Sequence, residues 1–328
     1  MKILYGLEYN NIDVTEICKK QLMKNGIIKI KHCDEYRAKL FTDPCFRVLK
    51  SIFIVRENYP MLKYSNKHDI YIDTNTNNIY TSDAPDSIKE LFPDYDLLLR
   101  NIQSKLKLEY GSFQDEYPEQ IMAVRYLTGN EKVLEIGSNI GRNSLIIGYI
   151  LSQKNNSDFV TVESDPDTAN VLKYNRDLNN MNFFIENAAL SKRKLIQKNW
   201  EGGTASQTIC SDVLLDGYKE VNTITYNQLC NKYNIDFDTL IFDCEGAFYY
   251  ILMDMPEILE NIKLIIMEND YTDIEHKKFI DSVLLENEFY VDYVQSGCEI
   301  ARRKFPDTYS EFFQVWKKKE PENLVINL

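Results

Sequence analysis

The run Val133-Leu-Glu-Ile-Gly137-Ser-Asn-Ile-Gly141-Arg-Asn-Ser144 has the make-up of a buried strand feeding a glycine-rich turn and then a helix. Gly137 permits a tight turn and lets a ligand approach the backbone. The helix that follows offers unpaired N–H groups at its start. A dinucleotide fingerprint would read G-x-G-x-x-G. Here Asn139 occupies the middle glycine position and Arg142 the last, so a pyrophosphate loses its close backbone approach. Glu135 at the strand end would repel a phosphate and would suit a cation, such as an amino-acid ammonium. For the glycine turn taken alone, a plain strand–helix turn is the competing explanation.

The next apolar segment ends in Thr161-Val-Glu163-Ser-Asp165-Pro166. An acid about 20 residues beyond such a turn grips the two hydroxyls of a ribose. A carboxylate has two oxygens and can accept both hydroxyl protons. Asp165 then caps a helix with Pro166 at its first position. A ribose and an ammonium without a phosphate describe S-adenosylmethionine. The expected cofactor residues here are Glu135, Gly137, Ser138, Asn139, Gly141, Asn143, Ser144, Glu163 and Ser164.

A second group of acids follows two later apolar runs: Asp243 and Glu245 after Thr239–Phe242, and Glu268 and Asp270 after Leu264–Met267. Strand ends of an open α/β sheet line its ligand crevice. Methyl transfer to oxygen is an in-line displacement, so alignment of the acceptor dominates, and the hydroxyl proton needs a base. No histidine falls in a motif, which leaves Asp243 as the expected base once burial raises its pKa. Glu245 and Asp270 are expected on the acceptor side. A hard cation such as Mg2+ held by these carboxylates is the alternative way to acidify a hydroxyl. The plain reading is that Asp243 and Glu245 cap the next helix and that Glu268 is a solvated loop acid.

The elements that must position these residues alternate in type. Helices are expected at Pro118–Leu127, Arg142–Leu151, Pro166–Leu178, Tyr226–Tyr233, Phe248–Met255 and Lys277–Glu286. Strands are expected at Lys132–Ile136, Phe159–Val162, Phe183–Ile185, Thr239–Phe242, Leu264–Met267 and Tyr290–Val294. That order implies an α/β fold with a doubly wound, Rossmann-like sheet, closed by an antiparallel strand near Tyr309–Trp316. Residues 1–82 read differently. Short β-branched runs at Lys2–Tyr5, Gly26–Ile30, Val48–Val55, Asp69–Ile72 and Asn78–Thr81, with turn signals between them, describe a small β-rich accessory domain with one helix near Val14–Lys24. Residues 83–116, with a helix at Asp96–Leu108, read as a helical linker, and 117–328 as the cofactor domain. Trp200-Glu-Gly-Gly203-Thr-Ala-Ser206 reads either as a hinged loop over the acceptor or as an ordinary surface loop.

Composition narrows the class. The chain has 328 residues, with 38 Lys and Arg against 50 Asp and Glu. A net charge of −12 argues against nucleic acid as the partner. No apolar run reaches the roughly 18 residues of a membrane span, and the first residues do not read as a signal peptide. Seven scattered cysteines without a C-x-x-C pair suit reduced thiols of a cytoplasmic protein rather than a zinc site.

With these motifs in hand, the stretch from about Tyr110 to Val294 resembles the FkbM family of S-adenosylmethionine-dependent methyltransferases. Val133–Ser144, Val162–Pro166, Glu186-Asn-Ala-Ala-Leu-Ser191, Thr223–Leu229, Asp243-Cys-Glu245-Gly246 and Ile266–Asp270 carry the resemblance, in the family's order. It implies that the glycine loop holds the methionine moiety and Glu163 the ribose, with Asn187 and Ala188 near the adenine. It also implies a hydroxyl acceptor, such as a sugar or glycan precursor. Ile241 stands where the family usually has lysine, and Phe248 where it often has glutamate.

The leading expectation is a small-molecule O-methyltransferase. A scaffold or binding protein that keeps the fold without turnover is the second, motivated by Ile241 and Phe248. A nicotinamide oxidoreductase is disfavoured by the missing second glycine. DNA methylation is disfavoured by charge and by the absence of an Asp/Asn-Pro-Pro-aromatic motif. The β-rich domain could bind a partner, bind carbohydrate or form a homodimer.

Overall fold

The computed structural model describes residues 1–199 and 206–319. The chain divides into two compact units, one from Met1 to Asp94 and one from Tyr95 on. The division falls inside the stretch read as a linker. Among the described residues no helix is long and apolar enough to cross a membrane.

The first unit holds two four-stranded antiparallel sheets. One runs in the order Asn10–Asp13, Lys2–Leu7, Ser51–Val55, Leu62–Tyr64, the other Met23–Lys24, Ile27–Ile30, Ile70–Asp73, Ile79–Tyr80. Strand alternation gathers Ile3, Tyr5, Ile28, Ile30, Ile52, Ile54, Ile70 and Ile72 into one core. The helix expected at Val14–Lys24 is shorter, Thr15–Gln21. Met23 and Lys24 instead pair with Ile28 and Ile27 across Asn25-Gly26, both at positive φ. A second helix, Asp34–Phe41, escapes a periodicity reading because its buried residues are Arg37 and Phe41 rather than an apolar stripe. The Arg37 guanidinium donates to the carbonyls of Lys31, Ser65 and His68.

The second unit is built on a seven-stranded sheet. Its strands are β1 Val133–Ile136, β2 Phe159–Val162, β3 Phe184–Glu186, β4 Thr239–Phe242, β5 Leu264–Glu268, β6 Phe289–Gln295 and β7 Phe313–Lys318. The order across the sheet is β3-β2-β1-β4-β5-β7-β6. Strands β1 to β5 pair in parallel, and β7 is antiparallel to both neighbours. This is the doubly wound Rossmann-like sheet that the alternating pattern predicts, with the reversed strand shifted to Phe313–Lys318 behind a 3-10 turn at Tyr309–Glu311. The strand order reverses between β1 and β4, which puts the ligand crevice outside their carboxyl ends.

Helices flanking the sheet include α1 Tyr117–Tyr126, α2 Arg142–Ser152, α3 Pro166–Leu178, α4 Tyr226–Tyr233, α5 Phe248–Asp254 and α6 Ile274–Glu286. Alternate strand residues face opposite layers. Leu134, Ile136, Leu240, Phe242, Ile265 and Met267 pack with α4, α5 and α6. Val133, Ile241, Leu264 and Ile266 pack with α1, α2 and α3.

The helix expected at Asp96–Leu108 ends at Gln103. Beyond it α3 takes over the backbone: the Lys107 N–H donates to Asn179 Oδ1 and the Glu109 N–H to Asn175 Oδ1. An unanticipated three-stranded antiparallel sheet follows β3, with Leu195–Asn199 between Ser206–Cys210 and Lys219–Val221. The Gly202-Gly203 hinge expected over the acceptor lies outside the described residues.

Candidate functional site

Gly137 is the pivot of the site. Its φ is +89°, and a Cβ there would lie 1.6 Å from the Asp243 carbonyl oxygen. The turns after β1 and β4 therefore touch through a position only glycine can occupy. Gly141, at φ +94°, starts α2, and a Cβ on it would collide with Leu172 of α3. Asn139 between them is also left-handed.

Glu163, at the end of β2, turns its carboxylate into this loop. Oε2 accepts the Asn139 N–H at 2.9 Å and Oε1 accepts the Asp165 N–H at 2.8 Å. It is 9% exposed, and burial pushes its pKa up to about 7 against those two donors. Asp165 caps α3 through the Thr168 N–H at 2.8 Å and pairs with Lys219 of the three-stranded sheet. Asn187 donates to the carbonyls of Glu163 and Ser164, which ties the turn after β3 to the end of β2. Gln197 donates to Ser164 Oγ. Ala188 and Ser138 are buried, and Ser138 Oγ has no hydrogen-bond partner.

Glu135 takes a different position from its neighbours in the motif. Alternation puts it on the α1–α3 face, where it is 2% exposed. Its carboxylate accepts from Ser144 Oγ at 2.5 Å, Thr161 Oγ1 at 2.7 Å and Asn143 Nδ2 at 3.3 Å. Burial still raises its pKa to about 7. Parallel register sets Thr161 beside it on β2 and Ile241 beside it on β4. A lysine at 241, as in the resembled family, would stand next to Glu135, whereas here hydroxyls and an amide hold the carboxyl.

The other acids collect on the same face. Ile241 pairs with Ile266 in register, so two residues on, Asp243 and Glu268 leave their strands side by side. Glu119 of α1 joins them, with one carboxylate oxygen from each of the three within 4.8 Å of the others. Burial raises Glu119 to about 8, and the charge of Glu116 adds to this. Asp243 and Glu268 rise well above the usual carboxylate range, first by burial and then by neighbouring charges, led by Glu116 and Glu119 for Asp243 and by Asp243 and Glu119 for Glu268. Glu268 is half-buried rather than solvated. Asp270 accepts the Gly246 N–H at 2.9 Å and so fixes the turn after β4, where Glu245 and Gly246 both have positive φ. Glu245 is exposed. Phe248 stacks on Phe242 with centroids 3.9 Å apart.

Sequence reasoning missed Glu116 and Glu119. Glu116 accepts from Arg142 at 2.8 Å in front of α2. The two acids sit three residues apart, a spacing that shares one helix face, but nothing in their own segment says which strands that face meets. Together the residues present two chemistries: fixed acceptors for hydroxyls at Glu163, and a buried carboxyl group around Asp243 able to take up protons or a cation.

No family model matches the chain, and no curated protein matches it. Solved structures do. An O-methyltransferase from Bacillus cereus in complex with SAH is 15% identical over 70% of this chain and 94% of its own, with a TM-score of 0.37. The O-methyltransferase TomG from Streptomyces achromogenes, involved in tomaymycin synthesis and in complex with SAM, is 9% identical over 70% and 91%, with a TM-score of 0.39. A ribosomal protein L11 methylase from Lactobacillus delbrueckii subsp. bulgaricus is 12% identical over 65% and 82%, with a TM-score of 0.36.

Proposed function

We propose that the chain is an S-adenosylmethionine-dependent O-methyltransferase, a divergent relative of the FkbM family, acting on a hydroxyl of a small molecule such as a sugar or glycan precursor. One observation carries this reading: the Glu163 carboxylate is fixed by the N–H groups of Asn139 and Asp165 beside the Gly137 turn. Each oxygen uses one lone pair on the backbone and keeps another for a ribose hydroxyl. The residues fit the cofactor in one further respect: Ser138 Oγ is buried without a partner. They do not suit a dinucleotide. Glu116 and Glu135 bring carboxyls to the start of α2, where a pyrophosphate would need donors and positive charge.

Glu163 would hold the ribose, the Gly137–Gly141 turn the methionine moiety, and Asn187 and Ala188 would flank the adenine. Glu135 would act through Asn143 and Ser144, holding the start of α2. Bound there, S-adenosylmethionine supplies a methyl group open to in-line attack by an oxygen. Asp243 then receives the acceptor's proton, its basicity raised by burial among like charges. Glu245 and Asp270 frame the acceptor edge, Asp270 through its bond to Gly246.

A radiolabelled methyl donor and a panel of nucleotide sugars test the reading. Wild type should label a hydroxyl, and Asp243→Asn should lose about 100-fold or more of the rate while binding cofactor as before. Equal rates in the two proteins, or labelling of amines alone, would overturn it. A second reading, a ligand-binding protein without turnover, is favoured by Ile241 and Phe248. Both are buried in the apolar layers where the resembled family carries charge, and this reading expects cofactor binding with no labelled product.

A further inference from the structure

The acids beside Asp243 form more than a proton sink. One oxygen each from Glu119, Asp243 and Glu268 converge within 4.8 Å. Glu119 is 8% exposed and its Oε2 has no hydrogen-bond partner. A separate side chain points to the same vacancy of partners. Asn143 lines one small cavity with Glu119 and Asp243 and is 7% exposed. It spends its Nδ2 on Glu135, and its Oδ1 is left without a partner. A buried oxygen that accepts nothing is destabilising. Two residues with such oxygens, on different helices α1 and α2, line one cavity.

The leading charge effects on Glu119, Asp243 and Glu268 come from other carboxylates. Arg142, next to Asn143, is engaged by Asp115 and Glu116. The cavity measures about 10 Å3, close to the room one water needs and too small for an ammonium on a carbon chain or for a guanidinium. Carboxylates with an amide oxygen are a hard, all-oxygen donor set, which suits Mg2+, Mn2+ or Ca2+ and not a thiophilic metal.

We propose that Glu119, Asp243 and Glu268, with Asn143 lining the same cavity, form a binding site for one hard divalent cation. One oxygen from each carboxylate lies within 4.8 Å of the others. The cation would lie at the proposed acceptor edge, but its binding does not depend on the cofactor reading.

The test uses the full chain after chelator treatment. Free Mn2+ is followed by electron paramagnetic resonance during titration, and thermal shifts are recorded with Mg2+ and Ca2+. Wild type should bind one Mn2+ per chain saturably. Glu119→Gln and Glu268→Gln should each weaken binding at least tenfold, and the two variants cover for each other if one fails to fold. Absence of a saturable site, or unchanged affinity in both variants, would overturn the proposal by assigning any uptake to the acidic surface. S-adenosylmethionine titrations of the same samples report on the cofactor reading separately.

Discussion

Glu163 makes the stability of the ligand-free protein depend on pH in a direction opposite to that of an ordinary paired carboxylate. Its pKa rises from 4.5 to about 7 on folding, with burial the largest cause. The native state therefore holds a proton that the unfolded chain has released across that window. Its stabilising contribution is complete below pH 4.5 and is lost as pH rises through 7. At about 1.36 kcal/mol per pH unit, the loss is about 3 kcal/mol. For a unit of this size that corresponds to about 6–12 °C in Tm. Glu163→Gln removes the titrating proton, so the informative quantity is the difference between wild type and variant. Urea unfolding at pH 5, 6, 7 and 8, without ligand, measures it. Wild type should lose stability relative to Glu163→Gln by about 2.5 kcal/mol between pH 5 and pH 8. A difference that stays flat, or that grows in wild type's favour toward pH 8, would refute the burial argument.

Further outcomes follow from single contacts. Gly137→Ala combines a left-handed φ with a Cβ 1.6 Å from the Asp243 carbonyl; it should cost well over about 1 kcal/mol and abolish cofactor binding, read by thermal unfolding and calorimetry. Asp165→Ala removes the α3 cap and the Lys219 pair; it should destabilise by about 1–2 kcal/mol in urea unfolding while Glu163 keeps its bond to Asn139. Cofactor affinity should rise roughly tenfold from pH 6 to pH 8 as Glu163 ionises to accept hydroxyl protons, measured by calorimetry at constant ionic strength.

Local pattern made much of the fold legible. The buried strand expected at Lys132–Ile136 and the capped start of α3 at Asp165-Pro166 are written in neighbouring residues, and the structure has the strand at Val133–Ile136 and the cap as expected. Distant clamps are not. The helix ending at Gln103 stops early because Asn175 and Asn179, some 70 positions away, bind the next residues. The strand Met23–Lys24 depends on a partner across a turn rather than on its own apolarity. At the site, Glu135, Gly137 and Glu163 stand out by spacing, but the convergence of Glu119 on Asp243 and Glu268 requires strand register and helix docking. Neither can be read from a helix whose first turn is simply acidic. The same register explains Glu135, which its own motif suggests should face a ligand and which Thr161 and Ser144 hold in the interior.

The central claim is that the edge around Gly137 and Glu163 is built for a ribose on a cation-bearing ligand without phosphate. Calorimetric titration of S-adenosylmethionine into wild type and Glu163→Ala, with NAD as the control, tests it most directly. Wild type should bind S-adenosylmethionine at one site per chain, Glu163→Ala should lose at least tenfold in affinity, and NAD should not bind. Failure of S-adenosylmethionine to bind wild type, or a preference for NAD, would contradict it.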